Sequence, residues 1–244
     1  MNPVDGFWRR LGLRLLPPRC LLCRAPGAEG RELCADCRRD LPWNRACCAR
    51  CALPLAPADH ADAERICGDC PQHPPVFDRL RAPFRYAYPL DGLITRFKFH
   101  HDLAAGVLLA DLMTEAFAGD LHARPDLIVP VPLHVQRLRE RGYNQSLELA
   151  KRLAPALGLR LDAAALGRQR ATAAQSELAA ADRHRNVRDA FVADAARVHD
   201  RDIALIDDVA TTAATASECA RALKAAGARN VSVWVVARAP APLK

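Results

Sequence analysis

"IALIDDVATTAATASE", residues 203–218, decides how this chain is read. Four apolar residues run into two adjacent carboxylates, Asp207 and Asp208. A short apolar run of this kind reads as a buried strand. In a parallel sheet, ligands collect at the carboxyl ends of the strands, which is where the two acids fall. The residues that follow, Thr211, Thr212, Ala213, Ala214 and Thr215, are small. They lead into "TASECARALKAAGA" (215–228), a helix with Thr215 and Glu218 at capping-box spacing and Gly227 at its far end. The amides and positive dipole end of a helix N-terminus attract an anion. Small side chains let it approach, and threonine hydroxyls add donors. Two carboxylates would repel the same anion. A sugar phosphate resolves the conflict, with its phosphate in the cradle and its hydroxyls donating to the acids. An Asp-Asp pair alone could simply face solvent at a β-turn-α corner; the whole string is far more specific.

Outward from this stretch, strands alternate with helices. "DRLRAPFRYAY" is a candidate strand pair or extended segment, and "LDGLITRFKFH" and "DLAAGVLLADLMTEAFAG" carry helical apolar spacing. "DLIVPVPL" (126–133) is a short buried strand. "NQSLELAKRLAPALG" is an amphipathic helix capped by Asn144 and stopped by Gly158, and "NVSVWVVA" is a final strand. This alternation predicts an α/β fold, a mainly parallel sheet with helices on both faces.

The front of the chain has a different character. Nine of the ten cysteines precede residue 71, eight of them in four C-x-x-C pairs: Cys20 and Cys23, Cys34 and Cys37, Cys48 and Cys51, Cys67 and Cys70. Two such pairs complete a closed tetrahedral site, so four pairs predict two structural zinc ions. Sequential pairing is the simplest arrangement, and a crossed one stays open. Disulfides would require an oxidising compartment. Cys47 falls outside the spacing, and Cys219 reads as a small core residue. A segment this poor in large apolar residues depends on its metals to fold. "PQHPPVFD" then marks a boundary near residue 75, giving a Cys-rich module over 1–75 and an α/β domain over 76–244.

The 244 residues suffice for one sizeable core and one small extra module. The net charge of +7 is nearly all arginine, with lysine only at Lys98, Lys151, Lys224 and Lys244, so it reflects composition as readily as an anionic partner. "FWRRLGLRLLPPRC" is a short amphipathic stretch whose apolar run is broken by Arg14. It is too short for a signal peptide or a membrane span, so a cytoplasmic protein without membrane insertion is expected.

An apolar strand, two acids, a loop of threonine and small residues and then a helix resembles the 5-phosphoribosyl-1-pyrophosphate (PRPP) motif of type I phosphoribosyltransferases. "VPVPLHVQRLRERGYNQSLELAKRLA" (129–154), "RQRATAAQSELAAADRHRNVRDAF" (168–191) and the cysteine-rich front narrow this to a resemblance to the ComF family, with its double zinc ribbon. The resemblance implies that Asp207 and Asp208 hold the ribose hydroxyls as the catalytic acids. It implies that Thr211 to Thr215 surround the 5-phosphate, and that the turn after the strand at 127–132, with Arg137, Arg139 and Arg141 just beyond, binds pyrophosphate. It makes Arg168–Asn186 a mobile loop, and it implies magnesium bound together with PRPP. Relatives in this fold usually have glycine where this chain has Ala213 and a larger aliphatic residue where it has Ala210.

Three functions fit these expectations. One is phosphoribosyl transfer, a glycosyltransferase reaction through an oxocarbenium-like state, although no residue marks an acceptor site. Another is single-stranded DNA binding in DNA uptake or utilisation, together with uptake-machinery proteins. The basic segments 134–152 and 168–188 suit that reading, but the aromatics Trp43, Tyr86, Tyr88 and Tyr143 are scattered. The third is a PRPP sensor without turnover. The combined expectation is a PRPP-binding protein of phosphoribosyltransferase fold that serves DNA uptake or utilisation.

Overall fold

The computed structural model describes residues 18–56, 65–119, 124–169 and 190–240. The amphipathic stretch before residue 17 and most of the 168–186 loop lie outside these residues. Five strand positions form one parallel sheet in the order β1-β8-β7-β3-β4, with β2 continuing along β8. The strands are β1 (Arg79–Arg81), β2 (Phe84–Arg85), β3 (Leu127–Pro130), β4 (Arg160–Leu161), β7 (Asp202–Ala210) and β8 (Asn230–Arg238). A separate antiparallel pair, β5 (Leu166–Arg168) and β6 (Phe191–Ala193), brackets the 168–186 segment.

Side chains alternate along a strand, and β7 shows how this sheet uses that. Ala204 and Ile206 join one buried cluster, and Ile203 and Leu205 join the other. The first cluster holds helices α3 (Leu90–Phe99), α4 (Leu103–Ala118) and α6 (Gln145–Leu157). Helix α8 (Ala214–Ala225) packs into the second. The expected fold, a parallel sheet covered on both faces and preceded by a cysteine-rich module, is therefore present.

That module is built twice on one plan. Cys20 N donates to Ala25 O at 2.8 Å and Arg24 N to Cys20 O at 2.9 Å; Cys48 N donates to Leu53 O and Ala52 N to Cys48 O, both at 2.9 Å. Arg24 and Ala52, each just after the second cysteine of its turn, both take positive φ, 66° and 52°. The tight turn that aims two sulfurs at one point imposes this shape. Each turn is answered by a short helix, α1 (Ala35–Arg39) after Cys34 and α2 (Asp69–Gln72) after Cys67. Neither half stands apart from the sheet. Cys20 and Cys34 are buried in the cluster with α3, α4 and α6, while Cys48, Cys51, Cys67 and Cys70 are buried in the cluster with α8.

Two short helices remain. Helix α5 (Val135–Arg141) follows β3, with His134 at its N-cap, and α7 (Ala195–Val198) follows β6. Helix α6 has the predicted ends: the Asn144 side chain accepts from the amides of Ser146 and Leu147, and Gly158 closes it at φ 64°. Helix α8 differs from expectation at its start. It begins at Ala214, with Ala213 as N-cap and no side-chain cap, so the Thr215–Glu218 capping box is not made. Strand β7 continues past the acids to Ala210, and the helix cap lies at Ala213, two residues before Thr215, so the loop between them is short.

Candidate functional site

The acids sit near the carboxyl end of β7, inside the strand rather than after it. Asp208 is only 3% exposed, and its carboxylate lies 2.9 Å from Lys98 Nζ, at the end of α3. Asp207 is half-buried. Its Oδ1 accepts from Ser146 Oγ and from Asp208 N, both at 2.9 Å. Burial and then repulsion from Asp208 push the Asp207 carboxyl up to about 6, against the pull of Lys98 and those two hydrogen bonds. Ser146 is in place because Asn144 does two jobs. Its side-chain oxygen caps α6, while its Nδ2 donates to Val131 O at 3.0 Å, tying the helix to the turn after β3.

Beside Asp207, the loop residues Thr211, Ala213, Ala214 and Thr215 line a small, shallow concavity with Ala216 and Val235. The structure thus brings one acid and the small-residue loop together. Thr212 turns back on the chain, its hydroxyl accepting from Ala214 N at 3.4 Å. Ala213 takes φ 58° and ψ 16°, the left-handed conformation that glycine adopts without strain.

Of the three arginines, Arg137 and Arg141, one helical turn apart, line a second, open cleft with Lys98, Phe99, His101 and Glu140. Arg139 is exposed and is not part of that lining. Lys98 therefore belongs to both places: it pairs with Asp208 and borders the basic cleft. Arg168, at the edge of the 168–186 segment, lies in the field of both Arg137 and Asp207, although burial is what mainly lowers its pKa.

Lys98, Ser146 and Phe99 were not singled out from sequence as parts of the site. Lys98 carried a signal, as one of only four lysines in an arginine-rich chain. Ser146 carried none beyond its place in a helix cap. Phe99 is 58% exposed and lies under Arg141, whose Cζ is 5.2 Å from the ring.

Both cysteine sets are assembled, and the pairing is sequential: Cys20, Cys23, Cys34 and Cys37 in one, Cys48, Cys51, Cys67 and Cys70 in the other, with sulfurs all within 4.8 Å of one another. Four sulfurs about 2.3 Å from a central ion sit roughly 3.8 Å apart. Cys23–Cys34, Cys51–Cys67 and Cys48–Cys70 lie 3.6, 3.7 and 3.8 Å apart. Backbone amides of Cys37 and Cys67 also point at sulfurs, of Cys34 and Cys48 respectively, which favours thiolates. The donor sets fit zinc.

The double zinc ribbon domain model matches residues 13–71. The chain is 38% identical over 232 residues to DNA utilization protein YhgH of Escherichia coli K12, covering 91% of this chain and 98% of that protein. It is 32% identical over 232 residues to competence protein F of Haemophilus influenzae, covering 91% and 97%. Among solved structures, the glutamine PRPP amidotransferase of B. subtilis overlaps 52% of this chain and 26% of its own, at 19% identity and a TM-score of 0.36.

Proposed function

Since this chain belongs to the ComF family, together with the DNA utilization proteins and competence protein F, we propose that it is a PRPP-binding protein of the phosphoribosyltransferase type that serves DNA uptake or utilisation. The observation that carries the reading is the concavity where Asp207 meets the loop Thr211–Ala216 at the end of a parallel strand. The loop and the first turn of α8 take the 5-phosphate. Asp207 and Asp208 accept from the ribose hydroxyls, and Ser146 and Lys98 hold those carboxylates in place. Arg137, Arg141 and Lys98 face the pyrophosphate, where guanidinium forks match phosphate oxygens. Magnesium bound with the pyrophosphate would neutralise part of its charge, leaving Arg137, Arg141 and Lys98 to meet the rest. If transfer occurs, the acid pair stabilises the cationic sugar electrostatically.

One observation favours direct contact with single-stranded DNA. Phe99 is exposed beside Arg141 at the mouth of the basic cleft, which provides a base-stacking face next to phosphate-binding charge. Both readings are tested by isothermal titration with PRPP and magnesium, repeated with single-stranded DNA present. A saturable heat with PRPP is expected. Its absence under low-salt conditions would remove the PRPP reading and leave DNA contact as the alternative.

A further inference from the structure

Arg238 closes β8 and pairs in register with Ala210, the last residue of β7. It is only 7% exposed. Its described partners are four main-chain carbonyls and no carboxylate. Nε donates to Cys51 O at 3.0 Å, and Nη1 donates to Ala210 O at 3.0 Å, to Ala239 O at 3.2 Å and to Thr211 O. One guanidinium thus ties the second cysteine turn to the first residues of the loop beside Asp207.

A buried guanidinium without a carboxylate is costly unless something else supplies negative charge. A zinc ion bound by four thiolates carries a net charge of about −2. The second cysteine set, filled with zinc, would supply negative charge next to Arg238, whose Nε already holds the carbonyl of its ligand Cys51.

We propose that Arg238 is a positioning residue through which the second zinc–thiolate centre sets the shape of the Ala210–Ala213 loop, and that zinc and the loop's ligand stabilise each other through it. The part concerning the ligand rests on the PRPP reading; the part concerning zinc and loop order does not. Coupling of this kind is reciprocal. The loop's ligand therefore slows zinc loss from the second site, and zinc at that site tightens the ligand.

The test compares wild type with Arg238→Gln and Arg238→Lys, each shown to contain two zinc ions before measurement. Lysine keeps the charge and cannot span the two sets of carbonyls. Amide hydrogen exchange over 210–215 should rise about tenfold or more in both variants, with exchange in β3 and in the Cys20–Cys37 half unchanged. Zinc release to a chelator should quicken from one site in Arg238→Gln. PRPP should slow that release in wild type and not in the variants. Unchanged exchange over 210–215 in a zinc-loaded variant overturns the proposal. If neither variant folds, zinc stripping of wild type decides: loop exchange must rise in step with exchange at the Cys48–Leu53 turn, and independence of the two overturns it. Absence of PRPP binding by wild type would instead defeat the PRPP reading and leave the exchange result to judge the coupling.

Discussion

At the scale of single residues, two side chains set measurable limits on the site. Burial, and then the neighbouring Asp208, push the Asp207 carboxyl up to about 6, above an ordinary aspartate. A ribose hydroxyl donates to the ionised carboxylate, so affinity should rise with pH through about 6 and fall up to tenfold per unit below it. The phosphate of the ligand titrates in the same range. A step present in wild type and lost in Asp207→Asn belongs to Asp207. The sign for stability is the reverse. A carboxyl that holds its proton more tightly when folded favours the fold as pH drops from about 6 toward its ordinary value, and that contribution is gone at higher pH. Asp207→Asn should therefore raise the melting temperature at about pH 8 and leave it little changed at about pH 4. The second residue is Ala213. A left-handed alanine costs about 1 kcal/mol relative to glycine. If relief of that strain outweighs the added freedom of the unbound loop, Ala213→Gly should tighten PRPP by up to about tenfold; titration calorimetry on the pair gives the answer. The resemblance pointed to Ala213 as a departure from glycine, and its left-handed backbone is where that departure bears on the loop. Lys98, Ser146 and Arg238 were not, because each reaches the site from a distant part of the chain and no local pattern announces a long-range contact.

Among the elements, those with a strong local code were the readable ones. Strand β7 is a short apolar run, and α6 has an asparagine at one end and a glycine at the other. Asn144→Ala should cost about 1 kcal/mol from the lost cap. It should also weaken PRPP binding, because the same side chain holds α6 and Ser146 against the turn after β3. Ser146→Ala is the control, retaining the cap while losing the bond to Asp207, and the two effects separate by comparing melts with ligand titrations. The β5–β6 pair was not read from sequence. Its strands are three residues each and distant along the chain, too short for a period-2 pattern to register. The start of α8 was misplaced for a related reason. Thr215 and Glu218 have capping spacing, but the chain turns into the helix at Ala213 through a left-handed backbone, which the side-chain pattern does not encode.

Over the whole molecule, the cysteine module and the sheet share their buried clusters, one zinc set on each face. Elemental analysis should find two zinc ions per chain. Chelation should lower a single calorimetric transition for the entire chain instead of melting the front alone, since removing either metal opens a cluster that the sheet also uses. The cysteine spacing made two metal sites legible; their insertion into opposite faces of the sheet was not, because it depends on which apolar residues meet in three dimensions. If DNA binds directly, its affinity should fall steeply with salt, and Arg141→Glu should weaken it more than Arg139→Glu, since Arg141 borders the cleft beside Phe99. In the proposed function, Asp207 and Asp208 grip a sugar phosphate held by the neighbouring loop. The decisive measurement is titration of PRPP with magnesium into wild type and into the Asp207→Ala, Asp208→Ala double variant, both shown to be folded and zinc-loaded. Each lost charged hydrogen bond is worth about 1.5–3 kcal/mol, so wild type should bind saturably and the variant at least tenfold more weakly. Equal affinity in the two proteins would rule out this role for the acids.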